Sequence, residues 1–154
     1  MNVVPNPGTA DLAKLFTTTR LGLTGAYTIS AVLKSLNKSS AAIIGTPARS
    51  IMRIANGNWQ LLETGSTDTP GSDGWSLVTA VVAGLSSALN VDGVAVGPGA
   101  ITAVGAFGDS TLEILGSMTA QVDVENINVW PFALNNGQAA AQRAAMKAGY
   151  SVLA

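Results

Sequence analysis

Cysteine and histidine are both absent from the 154 residues, and these two gaps exclude most of the usual chemistry. Without cysteine there is no disulfide, no thiolate nucleophile and no zinc–sulfur site. Without histidine there is no Ser-His-Asp triad, no Cys-His pair and no imidazole metal ligand. The reading that follows is a non-enzymatic protein with no cofactor and no metal. Charge is scarce too: Asp, Glu, Lys and Arg make up 11% of the chain, against about 25% in an ordinary soluble domain. Aromatic residues are 5%, hydrophobic residues 47%, and mean hydropathy is +0.36. A surface this poor in charge lacks the coat that keeps a monomer apart from its neighbours. Burial against partners or against a membrane is therefore expected.

The membrane alternative fares badly. The longest stretch free of charge, Gly74 to Val91, is 18 residues long and includes Ser76, Thr79, Ser86, Ser87 and Asn90. A spanning helix needs about 20 mostly apolar residues. The N-terminus has no basic stretch followed by an apolar run, so no signal peptide is expected. Nucleic acid is also disfavoured, because the basic residues form no stripe and no aromatic-rich motif accompanies them.

The few charges are segregated. Six bases, Lys14, Arg20, Lys34, Lys38, Arg49 and Arg53, face a single acid, Asp11, in the first 53 residues. From Ile54 to Gln142 there are eight acids and no base. Such polarity suits head-to-tail contact between copies or with a scaffold.

Length predicts one domain, residues 9–154, behind an extended arm, residues 1–8, in which Pro5 and Pro7 bar helix and central strand. The expected fold class is α+β: a mainly β core of short strands with flanking short helices. Thr9 would cap a helix over residues 10–16. Thr28 would cap a second, with Ile29, Val32, Leu33 and Leu36 at i, i+3, i+4, i+7 spacing. Strands are expected at Ala41–Ile44, Ser50–Ile54 and Asn58–Thr64, the last two joined by Asn56-Gly57, a strong hairpin signal. Over Trp75–Asn90, Leu77, Val81, Leu85 and Leu89 recur every four residues, which favours helix against a valine content that favours strand. Further strands are expected at Val91–Val96, Ala100–Phe107, Thr111–Leu115, Thr119–Val124 and Ile127–Trp130. Asn136 would cap a last helix to Ala148, closed by Gly149, whose Ala140, Ala141, Ala144, Ala145 and Ala148 offer a face for close packing.

Three patterns resemble catalytic ones and lack their partners. Gly108-Asp109-Ser110-Thr111-Leu112 resembles the nucleophile block of GDSL-type esterases, yet no histidine exists to deprotonate the serine. Ser35-Leu36-Asn37-Lys38 matches the S-x-x-K of penicillin-binding enzymes without a K-T-G. Asp123 and Glu125, two apart on a strand, share one face; paired carboxylates can act in glycoside hydrolysis or hold calcium, and an exposed polar face is their commoner use.

The segment from Ser50 to Val78 resembles a small β-module of bacteriophage tail-fibre and other virion accessory proteins. Its Asn56-Gly57 hairpin leads into Trp59, a Thr-Asp-Thr-Pro loop follows, and Trp75 closes the module ahead of Leu77-Val78. The chain as a whole is similar in profile to phage capsid decoration proteins, being short, weakly charged and free of Cys and His, with a proline-bearing arm. The resemblance implies a virion location and a structural role as a homo-oligomer, with a trimer expected. The leading expectation is a decoration (cement) protein that stabilises the head by clamping the major capsid protein or another virion protein; the alternative is a tail-fibre or baseplate piece that contacts a host receptor. Partner-binding candidates are Val3, Val4, Pro5, Pro7, Trp59 and Trp75. A small hydrolase is the disfavoured third reading.

Overall fold

In the computed structural model, the described residues are 2–3, 14–16, 25–35, 41–46, 49–55, 58–61, 74–84, 86–96, 113–115 and 122–153. Among them are eleven strands: β1 (Asn2–Val3), β2 (Lys14–Phe16), β3 (Tyr27–Ser35), β4 (Ala41–Thr46), β5 (Arg49–Ala55), β6 (Asn58–Leu61), β7 (Trp75–Val82), β8 (Ala88–Val91), β9 (Val94–Val96), β10 (Glu113–Leu115) and β11 (Val122–Trp130). One α-helix follows, α1 (Asn136–Gly149), and a 3₁₀ turn at Ser151–Leu153. The fold is mostly β, with every strand pair antiparallel.

The strands form two sheets. One has six strands in the order β1-β11-β3-β7-β8-β9, the other five in the order β2-β10-β4-β5-β6. β10 sits between β2 and β4, and β11 between β1 and β3, so late strands complete both sheets from the inside. β6 of the five-stranded sheet also approaches β8 of the six-stranded one.

Alternation along β3 sets the layers. Tyr27, Ile29, Ala31 and Leu33 share one face, and cross-strand pairing puts Val78, Ala80 and Val82 of β7 and Leu89 and Val91 of β8 on it as well. All are buried, as are Ile44, Trp59 and Leu61 of the five-stranded sheet. These residues form the interior of the sandwich. Thr28, Ser30, Val32 and Lys34 face the other way, where α1 covers the six-stranded sheet: Val32, Leu77 and Met146 cluster there.

That double cover explains the two largest departures from the sequence reading. The expected helices at Thr28–Leu36 and Trp75–Asn90 are instead β3 and the β7–β8 pair. In β7 apolar residues stand at both parities, so the period of two disappears. β3 keeps its alternation except at Val32, which on the α1 face lies between Ile29 and Leu33 in sequence and imitates an i, i+3, i+4 spacing. Within the expected helix at 10–16, Lys14–Phe16 is strand β2. The flanking helices thus reduce to α1 among the described residues.

Smaller departures follow from turn chemistry. Val91–Val96 is two strands, because Asp92 (φ 54°) and Gly93 (φ 93°) turn the chain and pair Val91 with Val94. Thr119–Val124 and Ile127–Trp130 are read as two strands, whereas Val122–Trp130 is one with a bulge between Val124 and Asn126. Strands in the expected positions include β4, β5 and β6, with Ala55 paired to Asn58 across Asn56-Gly57. The expected strand at Ala100–Phe107 and the Gly108–Leu112 block lie outside the described residues.

The last helix stands where expected, one residue out of frame. Asn135, not Asn136, is the N-cap: its side chain accepts from the Gln138 amide at 2.9 Å while Gln138 Oε1 accepts from the Asn135 amide at 3.0 Å. This is a capping box, two orphan donors satisfied reciprocally. Gly149 ends the helix and Tyr150 is the C-cap. The alanine face does not pack inward, since Ala140, Ala141, Ala144, Ala145 and Ala148 are exposed and only Ala139 and Met146 of the helix are buried.

Candidate interaction surface

The surface of interest lies on the helix side of the six-stranded sheet, beyond the C-terminal end of α1. Polar contacts fix α1 there. The Ser30 hydroxyl is 2.9 Å from Thr79 Oγ1 and 3.1 Å from Gln142 Oε1. Having one hydrogen, it donates to the Gln142 carbonyl, which can only accept, and accepts from Thr79. Gln142 and Asn128 both direct side-chain amides at the Met146 sulfur. At the helix start, Thr28 Oγ1 donates to the Phe132 carbonyl at 3.1 Å and accepts from the Leu134 amide at 2.9 Å.

Register places three side chains in one row next to the end of the helix: Asp123 pairs with Lys34, and Lys34 with Trp75. Directly paired residues point to the same face, and this face also carries Val32 and Leu77. In the adjacent row Asn126 pairs with Val32, and its amide donates to the Tyr150 hydroxyl. Trp75, Tyr150 and Leu153 all pack against the Val32–Leu77–Met146 cluster. Lys34, Trp75, Asp123, Asn126 and Tyr150 are each half-buried. Their bodies are held by packing while part of each remains open to solvent.

Two acceptors in this group, Asp123 Oδ1 and Asn126 Oδ1, are shielded from solvent and make no hydrogen bond. The bulge accounts for their proximity. Glu125 is the extra residue and is exposed, so Asn126 rather than Glu125 follows Asp123 on the helix-side face. The expected Asp123–Glu125 pair on one face is therefore replaced by Asp123 with Asn126.

At the other margin of the row, the Asp92-Gly93 turn closes against β7. Asp92 Oδ1 accepts from the Leu77 amide at 2.8 Å, and Lys147 Nζ donates to the Asp92 carbonyl at 3.3 Å. With the Asp92 amide donating to the Leu77 carbonyl at 2.9 Å, the carboxylate continues the β7–β8 ladder by one rung.

The two tryptophans expected to form one module lie on different sheets: Trp59 on β6, 1% exposed, and Trp75 on β7. Trp59 is a core residue here, whereas Trp75 reaches the surface. Val3 lies in β1 on the β11 edge, so the outermost residues of the expected arm pair with the chain's own sheet. Val4, Pro5 and Pro7 lie outside the described residues. Lys34, Asn126 and Tyr150 were not singled out from sequence, because their adjacency depends on cross-strand register and on a bulge. Among the described residues there is no cluster of three potential metal-ligating side chains, and no helix long and apolar enough to cross a membrane.

No protein-family model matches the chain, and no curated protein matches it in sequence. Solved structures do match in fold. The chain is similar to Trypanosoma rangeli sialidase in complex with sialic acid, with TM-score 0.58 and 18% identity over 82% of this chain and 24% of that one. It is also similar to a protein solved as a receptor binding domain, with TM-score 0.60 and 11% identity over 92% of this chain and 44% of that one. The chain thus spans about a quarter of the sialidase and under half of the second protein. At these identities the likeness is one of fold.

Proposed function

We propose that this protein is a non-enzymatic structural component of a bacteriophage particle, assembled as a homo-oligomer, whose task in a tail fibre or baseplate is to contact a host receptor. The observation that carries this reading is the half-buried row of Asp123, Lys34 and Trp75 with Asn126 and Tyr150 behind it. An aromatic body fixed by packing and surrounded by a few polar groups is the usual make-up of a recognition surface. Similarity to a receptor binding domain and to a sialidase crystallised with sialic acid supports recognition as a use of this fold, by analogy only. The absence of histidine and cysteine supports a non-catalytic role.

A second reading, capsid decoration, is favoured by a different observation. The outer face of α1 presents Gly137, Ala140, Ala141, Ala144, Ala145 and Ala148 to solvent. That smooth, uncharged strip suits permanent packing against a neighbouring subunit. Immunogold labelling of purified particles decides between the readings. Gold on the tail is expected; gold distributed over the head would replace the receptor reading with decoration, and unlabelled particles would sink both.

A further inference from the structure

We propose that the Asp123–Lys34–Trp75 row is a glycan subsite in which the Trp75 indole carries the apolar face of a pyranose ring, a proposal that rests on the receptor-contacting reading above. Three properties of the row select this ligand class.

The first is shape. Strands in a sheet lie about 4.8 Å apart, so Asp123 and Trp75, two strands apart, span about 10 Å, the reach of a short oligosaccharide. The row is bounded by Tyr150 and Leu153 on the helix side and by the Asp92-Gly93 turn beyond β7. The second is balance of charge. Lys34 and Asp123 are direct cross-strand neighbours, so the row carries one charge of each sign. A phosphate, a nucleic acid or an acidic peptide would meet Asp123 as well as Lys34. A sugar, whose hydroxyls both donate and accept, can use the two charges and the Asn126 amide together.

The third is preorganisation. Trp75 packs against Val32, Leu77 and Met146, and Asn126 is oriented by Tyr150. Little side-chain freedom remains to be lost on binding. With the Asn126 amide committed to Tyr150, its carbonyl oxygen and Asp123 Oδ1 are two acceptors without donors. A buried acceptor in that condition is unfavourable until a donor reaches it. A sugar hydroxyl, admitted by a small side-chain shift, would supply that donor where water does not compete.

The test is a microarray of bacterial surface polysaccharides and hexose oligosaccharides probed with the full chain, followed by calorimetry on the strongest ligand. Binding to a hexose-containing glycan is expected. Trp75→Leu should weaken it at least tenfold, and Asp123→Ala and Lys34→Gln severalfold each. Circular dichroism and melting temperature check that each variant is folded; the two polar substitutions keep the test valid if Trp75→Leu is unstable. Glycan binding that survives all three substitutions would overturn this site while leaving the receptor reading intact. A wild-type chain that binds no glycan on the array would also overturn it. The receptor reading itself fails independently, through gold on the head instead of the tail.

Discussion

Thr28 is a single side chain with two hydrogen bonds that tie the start of α1 to the sheet, one to the Phe132 carbonyl and one from the Leu134 amide. Thr28→Val keeps shape and β-branching and leaves both backbone groups without a partner. The expected loss is about 1–3 kcal/mol, read as a lower urea midpoint with an unchanged m-value. Gly93 offers a cleaner experiment. A Cβ there meets nothing within 4 Å, yet φ is +93°. Gly93→Ala therefore pays for backbone conformation alone, about 1–2 kcal/mol, and a loss far beyond that in thermal melts would show an unseen steric contact. The dipeptide Asp92-Gly93 between valines is a turn signal plainly present in the sequence. Reading Val91–Val96 as one strand passed over it, although Asn56-Gly57 was recognised on the same physical grounds.

At the scale of elements, legibility followed exposure. Helix α1 stands at the surface, so its start is marked by Asn135 and Gln138 and its end by Gly149, and the sequence placed it within a residue. β3 and β7 are covered on both faces; the alternation that identifies a strand is lost in β7, and in β3 it is interrupted by Val32 on the α1 face. Over Trp75–Asn90 the valine content points to strand, and the four-residue spacing of Leu77, Val81, Leu85 and Leu89 outweighs it. The half-buried row was partly legible through Trp75 and Asp123. The rest depended on partners such as Lys34 and Asn126, more than 40 and 90 positions away from one another or from Trp75 along β3 and β11, and no local pattern encodes such pairing. The docking of α1 gives its own prediction. Met146→Ala removes the helix residue that fills the Val32–Leu77 cluster and should cost about 2–5 kcal/mol. If chemical denaturation shows under 1 kcal/mol, α1 is held by its polar contacts instead of by this core.

For the whole molecule, the low charge content and the exposed alanine strip lead to one expectation: the isolated protein sediments as an oligomer. A monodisperse 15.5 kDa species at micromolar concentration would contradict it. The interleaving of strands has a further consequence, in the timing of synthesis. β1 to β4 emerge from the ribosome early, but β10, which stands between β2 and β4, and β11, which stands between β1 and β3, are made only at residues 113–130. Until then the nascent chain holds open edges on β2, β3 and β4, each a template for pairing with another chain. Ribosome-bound chains halted before residue 113 should be degraded quickly by added protease, and chains whose residues 1–154 have all emerged should resist it. Such a protein depends on whatever shields it during translation, and its yield should rise when translation is slowed or a chaperone that binds extended segments is supplied.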